Sequence, residues 1–159
     1  MTKPTAGIDD LVVNITQEIH VKASIEATFE ALVEQLGPGN EKQDGVAMPM
    51  VLEAWPGGRW YRDLGNHNGH FWGHVQAIKR PTLLEICGPL FASYPMVSNL
   101  QYRLVAEPGG TRIDFHHIAL GKIDPEHKSG MVEGWKYIHD QARKRAESGA
   151  SGKAAGRGQ

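Results

Sequence analysis

From Leu11 to Val21 the sequence LVVNITQEIHV sets Val13, Ile15, Gln17, Ile19 and Val21 against Val12, Asn14, Thr16, Glu18 and His20. A period of two predicts a half-buried strand. The period then lengthens. Ser24 is a helix cap, and Ile25, Phe29, Leu32, Val33 and Leu36 follow at helical spacing until Gly37 and Pro38 stop the helix. After the loop GPGNEKQDGVA come six strand-like segments: MPMVLEAW, GRWYRDL, HFWGHVQAI, TLLEICG, VSNLQYRLVAE and TRIDFHHIAL. Turn signals separate them at Pro56-Gly57-Gly58, at Asn66 to Gly69, at Pro81 and at Pro108-Gly109-Gly110. The last element opens with Asp124 as cap and Pro125 in its first turn, and sets Met131, Trp135, Ile138 and Ala142 along one face. Strand, helix, six strands and long helix predict an α+β fold: a curved antiparallel sheet of about seven strands wrapped around a C-terminal helix, with both helices on one side.

Parity assigns the two faces of the sheet. If Glu53, Asp63, Glu85, Arg103 and Asp114 meet water, the concave face carries Met50, Leu52, Trp60, Leu64, Leu84, Ile86, Leu100, Tyr102, Leu104, Ile113, Phe115 and His117. In the third segment Phe71, Gly73 and Val75 would share that face and leave His70, Trp72 and His74 outside. An outward Trp72 conflicts with burial, and a bulge at Gly73 would reverse part of the strand.

At 159 residues the chain has the size of one domain. The expected division is an N-terminal extension over 1–10, a single domain over 11–148 and a flexible, glycine-rich tail over 149–159. With 17 basic and 18 acidic side chains the net charge of -1 gives no general attraction to nucleic acid or an anionic membrane. The basic ARKRAE stretch is short and has no interleaved aromatics, and Glu26, Glu30 and Glu34 have the spacing of a solvated helix face. MTKPTAGIDD lacks the apolar core of a signal peptide, and no run approaches the ~20 apolar residues of a membrane span. A lone Cys87 inside LLEICG behaves as a small hydrophobe, and the expected location is cytoplasmic.

The stretch HNGHFWGHV concentrates three histidines between His67 and Val75. On a helix, His70 and His74 would meet over one metal ion. On a strand they stand ~13 Å apart, beyond the ~2 Å reach of zinc–nitrogen bonds. Asn68-Gly69 as a hairpin signal and Gly73 as a poor helix residue both favour the strand, so no metal is assigned. No nucleophile elbow, phosphate-binding glycine loop or paired cysteines appear, and no catalytic residue or cofactor is assigned.

The element order, with WPGGRWYRDLG, GHVQAIKRPTLLEI and GMVEGWKYIHDQ, resembles the START and birch-pollen-allergen (SRPBCC) superfamily, most closely its branch of activators of heat-shock-protein ATPase. The resemblance covers most of Val12 to Arg145 and rests on a double glycine before an aromatic strand, a Gly-x-Val-x-x-Ile-x-x-Pro hairpin and Gly-Trp in the last helix. It implies a helix-grip fold whose cavity holds an apolar or amphipathic small molecule. The implied lining is Met50, Leu52, Trp60, Phe71, Gly73, Val75, Ile86, Tyr102, Phe115 and His117 from the sheet, with Met131, Gly134, Trp135 and Ile138 from the helix. Gly130 and Gly134 each cost a helix roughly 1 kcal/mol relative to alanine, which Gly134 would repay by leaving room for the ligand. Members of the branch carry a tryptophan soon after the first helix, whereas GPGNEKQDGVAMPM has none, so the pocket entrance is built differently. Two other classes stay open: a protein-interaction module of chaperone-cofactor type, with a protein partner or homodimer, and a cyclase, dehydratase or hydrolase using His117 or Tyr102 as acid or base.

Overall fold

The computed structural model describes residues 7–90 and 94–155, with side chains through residue 149. After a 3-10 turn at Ile8–Leu11 the elements are β1 (Val12–Val21), α1 (Ile25–Leu36), β2 (Val51–Leu52), β3 (Arg59–Gly65), β4 (Asn68–Lys79), β5 (Leu83–Gly88), β6 (Met96–Glu107), β7 (Gly110–Gly121) and α2 (Pro125–Ala155). The seven strands form one antiparallel sheet in the order β1-β7-β6-β5-β4-β3-β2. Both helices pack together, α2 lies against β1, and α1 touches β6 and β7. This is the α+β arrangement expected from the hydrophobic pattern and the helix-grip fold implied by the resemblance.

Local chemistry sets the ends of the helices. Ser24 Oγ accepts the Ala27 amide at 3.1 Å, and the Asp124 carboxylate accepts that of Glu126 at 2.8 Å, so each N-terminus has a side-chain cap. The Gly37 amide closes α1 by donating to the Val33 and Glu34 carbonyls. Helical backbone in α2 runs to Ala155, into the glycine-rich segment expected as a tail. Residues 1–6 of the predicted extension and 156–159 of the predicted tail lie outside the described residues.

Parity holds wherever the ladder is regular. Leu84, Ile86, Leu100, Tyr102, Leu104, Ile113, Phe115 and His117 all lie in the interior as expected. It fails in β4. Trp60 pairs with Gly73 while Tyr61 pairs with Phe71, so Trp72 is an extra residue and the strand bulges there. The inversion buries Trp72 to 8% exposure and leaves Phe71 44% exposed, opposite to the assignment by simple alternation. Gly73 permits the bulge, because a Cβ there would lie 2.6 Å from the Cys87 carbonyl of β5. The inward-assigned Leu64 is 51% exposed, because β3 has by then run past the core toward its hairpin. That hairpin turns on Asn66 and His67, both at positive φ (52° and 62°), with Gly65 paired to Asn68, so the turn precedes the Asn68-Gly69 dipeptide expected to make it.

Candidate functional site

The concave face beneath β6, β7 and α2 is filled by aromatic rings. Phe115 stands at the centre, with ring centroids 4.8 Å from Tyr102, 4.9 Å from Trp135 and 4.5 Å from His139. These are edge and tilted contacts that add to simple area burial. Trp135 and His139 stack at 11°, one helical turn apart on α2. At the β2 side, Trp60 meets Trp72 edge-on at 5.0 Å and donates its indole N–H to the Leu36 carbonyl that ends α1.

Two chains of hydrogen bonds run through this packing, and their donors fix the histidine tautomers. An indole N–H only donates, so the 3.1 Å contact from Trp135 Nε1 makes His117 Nδ1 an acceptor. His117 therefore carries its proton on Nε2 and donates it to Ser98 Oγ at 3.1 Å. In the second chain Gln17 Nε2 donates to the Val132 carbonyl, which leaves Gln17 Oε1 to accept from His139 Nδ1 at 2.7 Å. His139 Nε2 then accepts the Tyr102 hydroxyl at 3.0 Å. Burial, reinforced by nearby His116, lowers the His117 pKa to about 4, and burial lowers that of His139 to about 3. Burial also raises Tyr102 well above the ordinary phenol value. Both imidazoles are neutral at pH 7, and each is bound to named partners on both nitrogens.

The predicted lining residues divide accordingly. Met50, Trp60, Gly73, Val75, Ile86, Tyr102, Phe115, His117, Met131 and Trp135 are brought together as closely packed interior. Leu52, Gly134 and Ile138 are half-buried. Gly134 does not face the strand aromatics: a Cβ there would meet the Gln43 amide at 3.7 Å, in the loop before β2. Phe71, turned outward by the bulge, lines a recess of about 470 Å³ at the hairpin end of the sheet. Met48, Trp72, Pro89 and Leu90 give that recess an apolar lining, and Arg62, His70 and Tyr94 are its polar side chains. Its volume falls in the range of roughly 300–1,000 Å³ usual for small-molecule sites.

Arg62 and His70 are register partners on β3 and β4, so they share one face of the sheet. Arg62 is two residues from inward-facing Trp60, and the bulge brings His70 to that same side. Neither had been assigned to the concave face. His139 was also missed, although it follows Trp135 by four positions and so falls within the buried stripe of α2. His70 and His74 sit on a strand as expected, and among the described residues no group of three or more His, Cys, Asp and Glu side chains gathers as for a metal ion.

Known structures place this geometry. An uncharacterized protein from Rhizobium leguminosarum superposes with TM-score 0.67 at 21% identity, over 86% of this chain and 95% of that one. The AHSA1-like protein from Aeromonas hydrophila gives 0.60 at 19%, over 86% and 94%. The chain has an AHSA-like helix-grip fold. Ara h 8.0201 superposes with TM-score 0.61 and 16% identity, over 86% of this chain and 99% of that one. The di-domain ARO/CYC StfQ of the steffimycin biosynthetic pathway superposes at 0.65 with 11% identity, over 93% of this chain and 53% of its own. No protein-family model and no curated protein matches the sequence. Among the described residues no helix is long and apolar enough to cross a membrane.

Proposed function

We propose that the protein binds an apolar or amphipathic small molecule in the recess between the β3–β4 hairpin and Leu90. The observation that carries this is the 470 Å³ recess with Trp72, Leu90 and Met48 along its wall, continuous through the Trp60–Trp72 contact with the aromatic interior. The filled aromatic block behind it acts as a rigid backing rather than as lining.

An acid–base role for His117 or Tyr102 has less support, because their polar atoms are committed to Trp135, Ser98 and His139 deep in the core. A protein-interaction module finds some support on the outer face, where exposed Val97 and Leu120 are register partners and exposed Ile118 lies two residues along. Three side chains are few against the ~800 Å² per partner of a standard interface, so the small-molecule reading is the stronger.

The neutral dye N-phenyl-1-naphthylamine tests it by fluorescence. The parent protein should take up the dye, and Met48→Trp, which fills the recess, should weaken uptake by about tenfold or more while the thermal midpoint holds. A parent that ignores the dye, or a folded Met48→Trp protein that binds it unchanged, would overturn the proposal.

A further inference from the structure

Three polar side chains converge on the recess without using their hydrogen-bonding capacity. Arg62, His70 and Tyr94 line it together, and among the described residues none of their side chains has a hydrogen bond or an ion pair. Tyr94 has a ring contact with His127 at 5.5 Å, which leaves its hydroxyl unused. The surroundings make this unusual. Arg59, three residues before Arg62 on the same strand, is held by Glu53 through its Nε at 2.7 Å and its Nη2 at 3.0 Å. Arg112 and Arg143 are likewise paired with carboxylates. Arg62 is half-buried beside an apolar wall and has no carboxylate among the residues lining the recess.

A guanidinium presents a planar fork of donors that matches a carboxylate, and a charge-assisted pair at the edge of an apolar site is stronger than a neutral one. The imidazole of His70, as cross-strand partner of Arg62, adds a donor from the adjacent strand, and the phenol of Tyr94 adds another from the segment before β6. We propose that this cluster is an anion subsite, and that the ligand is an amphipathic carboxylate whose apolar part lies against Trp72, Met48 and Leu90 while its carboxylate meets Arg62, His70 and Tyr94. The inference rests on the small-molecule reading of the recess and assigns that reading a ligand class.

Competition against bound N-phenyl-1-naphthylamine separates the two claims. Decanoate, decanol and acetate share either the tail or the head group. Decanoate should displace the dye at about tenfold lower concentration than decanol, and acetate should displace none. In Arg62→Gln the decanoate advantage over decanol, each read against that variant's own dye affinity, should vanish, and Arg62→Lys should restore part of it. Equal displacement by decanoate and decanol in the parent would overturn the anion subsite and leave the small-molecule reading standing. So would an Arg62→Gln protein that keeps the preference. Failure of the parent to bind the dye at all would instead sink the reading beneath it. Circular dichroism of Arg62→Gln confirms that lost preference is not lost fold; if that variant unfolds, His70→Gln decides, with an unchanged decanoate preference counting against the subsite.

Discussion

The two ends of the concave face treat their polar groups in opposite ways. Under β6, β7 and α2, the side chains of Gln17, Ser98, Tyr102, His117, Trp135 and His139 are tied to one another or to backbone, and the rings of Tyr102, Trp135 and His139 meet around Phe115. Between the β3–β4 hairpin and Leu90, Arg62, His70 and Tyr94 border open space. A buried polar group without a partner costs roughly 1–3 kcal/mol, so a core satisfies its polar groups. Polar groups left open beside apolar walls are available to a molecule from solution. The closed end is where stability should reside, and the open end is where chemistry can be exchanged.

The largest test of that division is Trp135→Ala. It removes a fully buried ring and leaves His117 Nδ1 without its donor, so urea denaturation should show a loss of roughly 3–5 kcal/mol. A loss under about 1 kcal/mol would mean that the closed end is not the stabilising one.

Acid should act on the same end. His117 and His139 have folded pKa values of about 4 and about 3, below the ordinary imidazole value of 6.5. Between about pH 6.5 and those lower values the unfolded chain binds protons that the native protein refuses, so stability falls as pH falls through this window. Each histidine should account for roughly 2 kcal/mol of the loss between about pH 7 and pH 5. Urea midpoints at the two values check the sum, and His139→Gln should remove about half of the difference. A stability that is flat across this interval would break the comparison.

The smallest effect belongs to the open end. Arg62→Gln should change the unfolding free energy by no more than about half a kcal/mol, because no interaction within the described structure depends on its guanidinium. A cost near that of Trp135→Ala would show Arg62 to be structural after all.

The sequence made the architecture readable because long alternating runs and capped apolar stripes act locally. Ser24 and Asp124 announced the helices, and the parity of β5, β6 and β7 placed Tyr102, Phe115 and His117 correctly since nothing interrupts those ladders. What could not be read is a matter of register. One extra residue at Trp72 exchanges the faces of the strand before it, turns Phe71 out and carries His70 to the side of Arg62. The pairing of β3 with β4 decides this, and alternation within either strand does not report it. The site was hidden for the same reason. Its lining was expected from aromatics on the concave face, but those aromatics met one another, and the recess with the apolar wall lies where the bulge carries His70 beside Arg62. Gly134 misled similarly, since spacing puts it beside Trp135 but cannot say that its open side looks toward Gln43.

The sheet order has a kinetic side as well. β1 pairs with β7, so Val12 lies opposite Leu120 and Val21 opposite Thr111, across nearly the whole length of the domain. As the chain emerges from a ribosome at roughly 5–20 residues per second, β1 spends seconds with Val13, Ile15, Ile19 and Val21 presented and no neighbouring strand to receive them. Meanwhile β3 through β6 can zip up hairpin by hairpin. The first strand to be made is thus among the last to be secured, since the entropic cost of closing that long loop comes before its contacts can offset it.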